Sequence, residues 1–115
     1  MMDASANEGL ELHLRQGFLH VPGEAHRRYL GECAVVAFLW SDPWIECIPL
    51  HNAAVGGFLL KMRTPAGDRV VDLRGFLREH DLDDMTNRLL SFSRDDRHAA
   101  WRALWIKAES LEAGS

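Results

Sequence analysis

The chain has 115 residues, of which 47% are hydrophobic and 26% charged, and its formal net charge is −4. This composition is typical of one soluble globular domain and excludes a disordered or fibrous chain. The negative charge and the scattered basic residues argue against nucleic acid as the main partner. No apolar run approaches the roughly 18 residues that span a membrane, and residues 1–8 lack the pattern of a signal peptide. We therefore expect a cytoplasmic protein without a membrane partner, with a disordered tail over residues 1–8 and a single domain over residues 9–112.

The first predicted element is a β-hairpin near the amino terminus. Apolar and polar side chains alternate over residues 10–14, and Gln16-Gly17 offers a two-residue turn into a second short strand. The register that follows puts the apolar faces together and places His13 opposite His20. A cross-strand histidine pair can hold a metal or sense pH, but we interpret this pair as the polar face of a half-exposed hairpin.

The longest apolar run, Cys33 to Trp40, is predicted to form a buried central helix. Pro22 provides a start signal, apolar residues recur every three or four positions, and Pro43 stops the helix. Gly31 weakens the middle of this helix and leaves Glu32 as an alternative start. The next segment, Trp44 to Ile48, is rich in β-forming residues and is predicted to be a short strand.

A second hairpin is predicted around a turn at residues 65–67, with Gly67 in the left-handed conformation. Its strands cover residues 58–64 and 69–73. The register stays open, because a three-residue loop at residues 65–67 suits the turn, whereas a two-residue loop that pairs Lys61 with Asp72 suits the apolar faces.

From Gly75 onward the pattern predicts helices. A short turn over residues 76–79 precedes one helix capped by Asp81 and a last helix that begins at Ser93. The last helix carries one apolar stripe, which consists of Trp101, Leu104, Trp105, Ala108 and Leu111. The predicted fold class is α+β: an antiparallel sheet of two hairpins and a short strand, packed against a central apolar helix and two C-terminal helices.

Residues 31–37 and 64–75 resemble segments of small bacterial proteins of the papain-like and transglutaminase-like cysteine-hydrolase superfamily. The resemblance implies a nucleophilic Cys33 at the start of the central helix, with Asp72 orienting a histidine. The strand that should carry the family's histidine has none, which leaves His51 as the remaining base. The resemblance therefore implies a protein that has kept the fold and lost the chemistry.

A metal site is considered and rejected. Cys47 and His51 have ligand-like spacing, but structural zinc needs four ligands and usually two such pairs. We expect no metal and no cofactor. Both cysteines, Cys33 and Cys47, are expected to be buried thiols.

The function expected from these features is that of a non-catalytic protein-interaction module. One form is an inhibitor or anti-activator that binds and sequesters a larger bacterial regulator, and the module is expected to be a homodimer. Tryptophan is frequent in binding hot spots, and the chain has four. The predicted partner-binding residues are Trp40, Trp44, Trp101, Leu104 and Trp105. The alternative is a papain-like cysteine hydrolase that uses Cys33, His51 and Asp72.

Overall fold

The computed structural model describes residues 9–50, 57–95 and 100–106. Within these ranges the chain forms nine strands and two short helices. The strands are β1 (Gly9–Arg15), β2 (Phe18–Val21), β3 (Val35–Ser41), β4 (Trp44–Leu50), β5 (Phe58–Leu59), β6 (Lys61–Met62), β7 (Arg69–Asp72), β8 (Asn87–Asp95) and β9 (Ala100–Leu104). The helices are α1 (Gly23–Tyr29) and α2 (Arg74–Glu79). Neither of these two helices has the length and apolar character needed to cross a membrane.

Three sequence predictions fall outside the described residues. They are the tail over residues 1–8, the candidate base His51, and the end of the last predicted helix beyond Ile106.

The strands form one antiparallel sheet that curls into a nearly closed barrel. Their order is β5-β3-β4-β9-β8-β1-β2-β7-β6. The two strands at the ends of this order, β5 and β6, are neighbours in the chain and are separated only by Leu60. β5 pairs with β3, β6 pairs with β7, and the Leu60 amide donates to the Ala34 carbonyl at 2.9 Å. One short segment therefore joins both ends of the sheet and leaves few unpaired strand edges.

The barrel is filled by alternate residues of its strands. In β1, Leu10, Leu12 and Leu14 point inward and are at most 3% exposed, while the residues between them face outward. The helices add aromatic rings to this core. Phe76 of α2 lies among other phenylalanine rings, and Tyr29 of α1 packs edge-on against Trp101 with ring centroids 5.4 Å apart.

The first hairpin is confirmed, including its register. His13 pairs with His20, and Leu14 pairs with Leu19 on the inner face. The turn residues Gln16 and Gly17 have φ values of 50° and 86°. These left-handed conformations are the ones that a two-residue hairpin turn requires.

The second hairpin exists, but its register differs from both expectations. Lys61 pairs with Val70, and the Gly67 amide donates to the Thr64 carbonyl at 3.0 Å. The two loop residues are therefore Pro65 and Ala66. Gly67 has a φ of 101°, so the predicted left-handed conformation at this position is confirmed.

The prediction of a central helix is wrong. Helix α1 ends at Tyr29, and most of the apolar run belongs to strand β3, which lies between β5 and β4. A run of about eight apolar residues fits a buried strand as well as a buried helix, since both are covered on all sides. Pro43 was expected to stop a helix. Asp42 and Pro43 instead form the turn that joins β3 to β4, and Ser41 pairs with Trp44 across it. The predicted short strand at Trp44 is confirmed as β4.

The two predicted C-terminal helices are also wrong. Residues 87–95 and 100–104 are strands β8 and β9, which pair with each other. Only the short helical turn near residues 76–79 is confirmed, as α2. The fold is therefore mostly β, a barrel-like sheet with two short helices, and not a sheet packed against a central helix and two C-terminal helices.

Candidate functional site

A groove of about 240 Å³ lies on the outer surface of the barrel, between the β1–β2 hairpin and the turn that joins β6 to β7. We call it the cationic groove. Its ionisable side chains are three guanidinium groups, two imidazoles and two carboxylates, namely Arg15, Arg63, Arg69, His13, His20, Glu11 and Asp68.

Strand β1 supplies one wall of the cationic groove. Glu11, His13 and Arg15 occupy exposed positions of this strand, two residues apart. Side chains at this spacing project from the same face about 7 Å from one another. His20 of β2 lies directly opposite His13, so the two imidazoles occupy neighbouring positions on that face.

The opposite wall is the β6–β7 turn, which is fixed by Asp68. One carboxylate oxygen of Asp68 accepts the Gly23 amide at 2.7 Å, and the other accepts the Thr64 hydroxyl at 3.0 Å. The Asp68 carbonyl accepts the Arg63 amide at 2.7 Å. The bonds to the carboxylate, that from Gly23 first and that from Thr64 second, lower the pKa of the Asp68 carboxyl group. Asp68 is therefore engaged in holding the turn against the start of α1.

Arg69 lies beside this wall and is only partly satisfied. Its Nη1 atom lies 3.5 Å from the Leu60 carbonyl, at the outer limit of a hydrogen bond. Its Nε atom is enclosed and has no hydrogen-bond partner among the described residues. An enclosed guanidinium donor without an acceptor is costly to the folded state.

The pKa of His20 reflects the burial and the charges of the cationic groove. Partial burial lowers its pKa most, followed by the positive charges of Arg63 and Arg15 and by His13. Neither Arg15 nor Arg63 forms an ion pair with a carboxylate in the part of the chain that the structure describes. The groove therefore holds positive groups close together, with Glu11 as its one carboxylate not used by the turn.

The structure does not assemble the predicted catalytic set from the described residues. Cys33 precedes β3 instead of opening a helix, is 7% exposed, and has its thiol pKa raised by burial. Asp72 forms an ion pair with Arg74 at 2.8 Å, and the hydrogen bonds from Arg74 lower the Asp72 pKa to about 2. His51 lies outside the described residues. The carbonyl of Cys33 accepts a hydrogen bond of 2.6 Å from Nε2 of the buried His26, which fixes this segment for packing.

A metal centre finds no support in the described residues. No group of three or more histidine, cysteine or acidic side chains is arranged to hold an ion there. Cys47, one half of the considered zinc pair, is buried in the core, and burial raises the pKa of its thiol.

The predicted partner-binding residues occupy three different environments. Trp101 and Trp105 are core residues, exposed by 2% and 3%. Trp40 and Trp44 are half-buried, and Leu104 is 46% exposed. The helical stripe on which this prediction rested does not exist, because Trp101 and Leu104 lie on opposite faces of β9.

Sequence reasoning missed the arginines of the cationic groove. The position of His13 opposite His20 was available from the first hairpin. Arg63 and Arg69 lie near these two histidines only because β2 pairs with β7. This long-range contact cannot be predicted from a local sequence pattern.

Comparison with known proteins supplies no relative: no protein-family model, no curated protein and no solved structure matches the chain. The function must therefore be argued from the site.

Proposed function

We propose that this protein is a non-catalytic interaction module that binds an acidic segment of another protein in the cationic groove. One observation carries the proposal. Arg15, Arg63, His13 and His20 are gathered on one face, while Asp68, the carboxylate nearest to the turn, is already bound by Gly23 and Thr64. Three guanidinium groups against two carboxylates leave the groove with a small excess of positive charge, which favours an anionic ligand.

Carboxylates suit this groove by their chemistry. A guanidinium group presents paired N–H donors that match the two oxygens of a carboxylate. Arg15 and Arg63 offer such donors and have no carboxylate partner among the described residues. A ligand with two carboxylates therefore satisfies donors that the free protein leaves to water.

A protein ligand is favoured over nucleic acid. The chain as a whole carries a net charge of −4, so a polyanion that extends beyond the groove is repelled where a short acidic segment is not. The described groove lining contains no phenylalanine, tyrosine or tryptophan on which a base can stack.

The proposed class of function is the one expected from the sequence, but the proposed partner-binding surface is different. The cationic groove replaces the tryptophan stripe as the partner-binding site. The inhibitor or anti-activator role and the homodimer stay predictions, and light scattering on the purified protein tests the dimer. Burial of Cys33 and the pairing of Asp72 with Arg74 support the non-catalytic reading over the hydrolase.

The test is a fluorescence anisotropy titration with a labelled, end-capped peptide of eight glutamates at low salt. A peptide of eight lysines serves as the ligand control. Wild type should bind the acidic peptide and not the basic one. Arg63→Gln should weaken binding by about tenfold, the equivalent of one charge-assisted hydrogen bond. Arg78→Gln removes the same charge from α2, outside the groove lining, and should change the dissociation constant by less than about twofold.

Three results contradict the proposal. The first is no binding of the acidic peptide by wild type. The second is equal weakening by Arg63→Gln and Arg78→Gln, which indicates attraction by overall charge. The third is tighter binding of a single-stranded oligonucleotide of similar length, which makes nucleic acid the ligand. Circular dichroism of each variant controls for folding.

A further inference from the structure

A second depression adjoins the cationic groove. It encloses about 300 Å³ and is lined by residues of β1 and α1, among them Glu24, Arg28 and Tyr29. Glu11 and Pro22 line both depressions. The two depressions therefore adjoin at Glu11 and Pro22; we call the pair the channel and the second depression the acidic groove.

The sign of the charge reverses along this channel. The acidic groove has two carboxylates, Glu11 and Glu24, and one guanidinium group, that of Arg28. The Arg28 guanidinium lies 5.4 Å from the centre of the Tyr29 ring. This cation–π contact keeps the Arg28 side chain against the wall of the acidic groove. The channel thus has a positive end near Arg15 and Arg63 and a negative end near Glu24.

The size of the channel favours an extended peptide over a small anion as the ligand. Each depression is several times larger than the roughly 30 Å³ that one water molecule occupies in the liquid. Arg15 and Glu11 are four residues apart on β1, which is about 13 Å along a strand. An extended ligand covers this distance with about four residues of its own.

We infer that the occupant is an extended protein segment with two charged ends: an acidic residue in the cationic groove and, about four residues along, a lysine or arginine in the acidic groove. This inference rests on the proposed function, since the acidic end of the ligand occupies the site already described. It adds that the partner segment is zwitterionic and is not a uniform acidic run.

Two labelled eight-residue peptides test the inference. The first has two glutamates, a spacer of four glycines and serines, and two lysines. The second replaces the lysines by glutamines. Glu24→Gln should weaken binding of the first peptide by about fivefold and leave the second within about twofold. Glu79→Gln, which removes the same charge from α2 outside both grooves, should affect neither peptide.

Glu11→Gln provides a second variant in case Glu24→Gln fails to fold. Loss of the Glu11 charge should weaken binding of the lysine-containing peptide and strengthen binding of the glutamine-containing peptide. The affinity for the first peptide relative to that for the second should therefore fall. Equal effects of both variants on the two peptides overturn the inference. If Arg63→Gln still weakens both peptides in that case, the proposed function stands. If Arg63→Gln weakens neither, the proposed function fails as well.

Discussion

Two regions of the barrel surface use arginine in opposite ways. On the face formed by β4 and β9, Arg102 lies 3.1 Å from Glu46 and its guanidinium covers the Trp44 ring at 4.4 Å. In the cationic groove, Arg15 and Arg63 face imidazoles and have no carboxylate partner among the described residues. Arg102 therefore has a carboxylate counter-charge and a ring contact within the chain, which contribute to stability, although its Nε atom has no hydrogen-bond partner among the described residues.

Arg15 and Arg63 lack such a counter-charge. Burial lowers the pKa of His20 most, and the positive charges of Arg63 and Arg15 lower it further, so we expect an anionic ligand to relieve that repulsion. Arginine stabilises the fold where its partner is built in, and we propose that it binds a ligand where that partner is missing.

Trp101→Ala should have the largest effect on stability. Trp101 lies beneath the β4–β9 face at 2% exposure, and truncation of a buried tryptophan costs about 3–5 kcal/mol. Leu104→Ala, three positions along the same strand and 46% exposed, should cost less than about 1 kcal/mol. Chemical denaturation measures both values. Equal losses for the two variants contradict the assignment of Trp101 to the core.

Gly67→Val should disturb the cationic groove through its backbone. Gly67 has a φ of 101°, and a β-branched residue in that conformation costs on the order of 1–3 kcal/mol. Gly75→Ala is the control, because a Cβ there meets nothing within 4 Å and the position lies in α2. The control should be neutral or more stable by roughly 0.5–1 kcal/mol. An equally mild effect of Gly67→Val is inconsistent with this turn.

A matched pair of arginine substitutions addresses the comparison itself. Arg102→Gln removes an ion pair and a ring contact, and should lower the free energy of unfolding by up to about 1 kcal/mol without changing peptide affinity. Arg63→Gln should weaken the acidic peptide and leave stability unchanged or slightly higher. If both substitutions lower stability alike, the two regions do not differ in the way described.

The smallest effect is that of pH on binding. The pKa of His20 lies below its ordinary value of 6.5, so His20 is mainly neutral in the free protein at pH 7. A bound carboxylate raises this pKa, so binding takes up protons and the affinity for the acidic peptide should rise a few-fold between pH 7.5 and 5.5. His20→Gln should flatten this dependence. An affinity that falls over the same range contradicts the role of His20.

The free protein should show the opposite trend in stability. Because the folded pKa of His20 is below that of the unfolded chain, the unfolded state binds more protons as the pH falls through about 6.5. The contribution of His20 therefore disfavours the folded state in acid, unless the acidic peptide is present.

The first hairpin was predictable from sequence because all its determinants are local. Gln16-Gly17 sets the turn, alternation sets the face, and together they fix His13 opposite His20. The second hairpin shares this property only in its turn residue Gly67. Its strands are also held by contacts distant in sequence, namely the hydrogen bond from Leu60 to Ala34 and the pairing of β7 with β2.

The C-terminal strands were missed because their spacing is ambiguous. Trp101 and Trp105 are four residues apart, which places them on one face of a helix and equally on one face of a strand. The residue between them that distinguishes the two, Ala103, is small and buried, so the alternation is not visible in the sequence. Leu104, which seemed to extend a helical stripe, faces outward on β9.

The cationic groove was beyond sequence reasoning for a different reason. Arg15 and Arg63 are 48 positions apart in the chain, and they line one groove only because β2 pairs with both β1 and β7. Nothing local marks either arginine as different from the other nine in the chain.

The most direct test of the account is to map the binding site by nuclear magnetic resonance. Amide signals of the ¹⁵N-labelled protein are recorded as the eight-glutamate peptide is added. We expect chemical-shift changes concentrated at residues 11–15, 20–22 and 63–69, with the indole signals of Trp44 and Trp101 unchanged. Shifts concentrated on the β4–β9 face, or none at saturating peptide, contradict the claim that the cationic groove binds the partner.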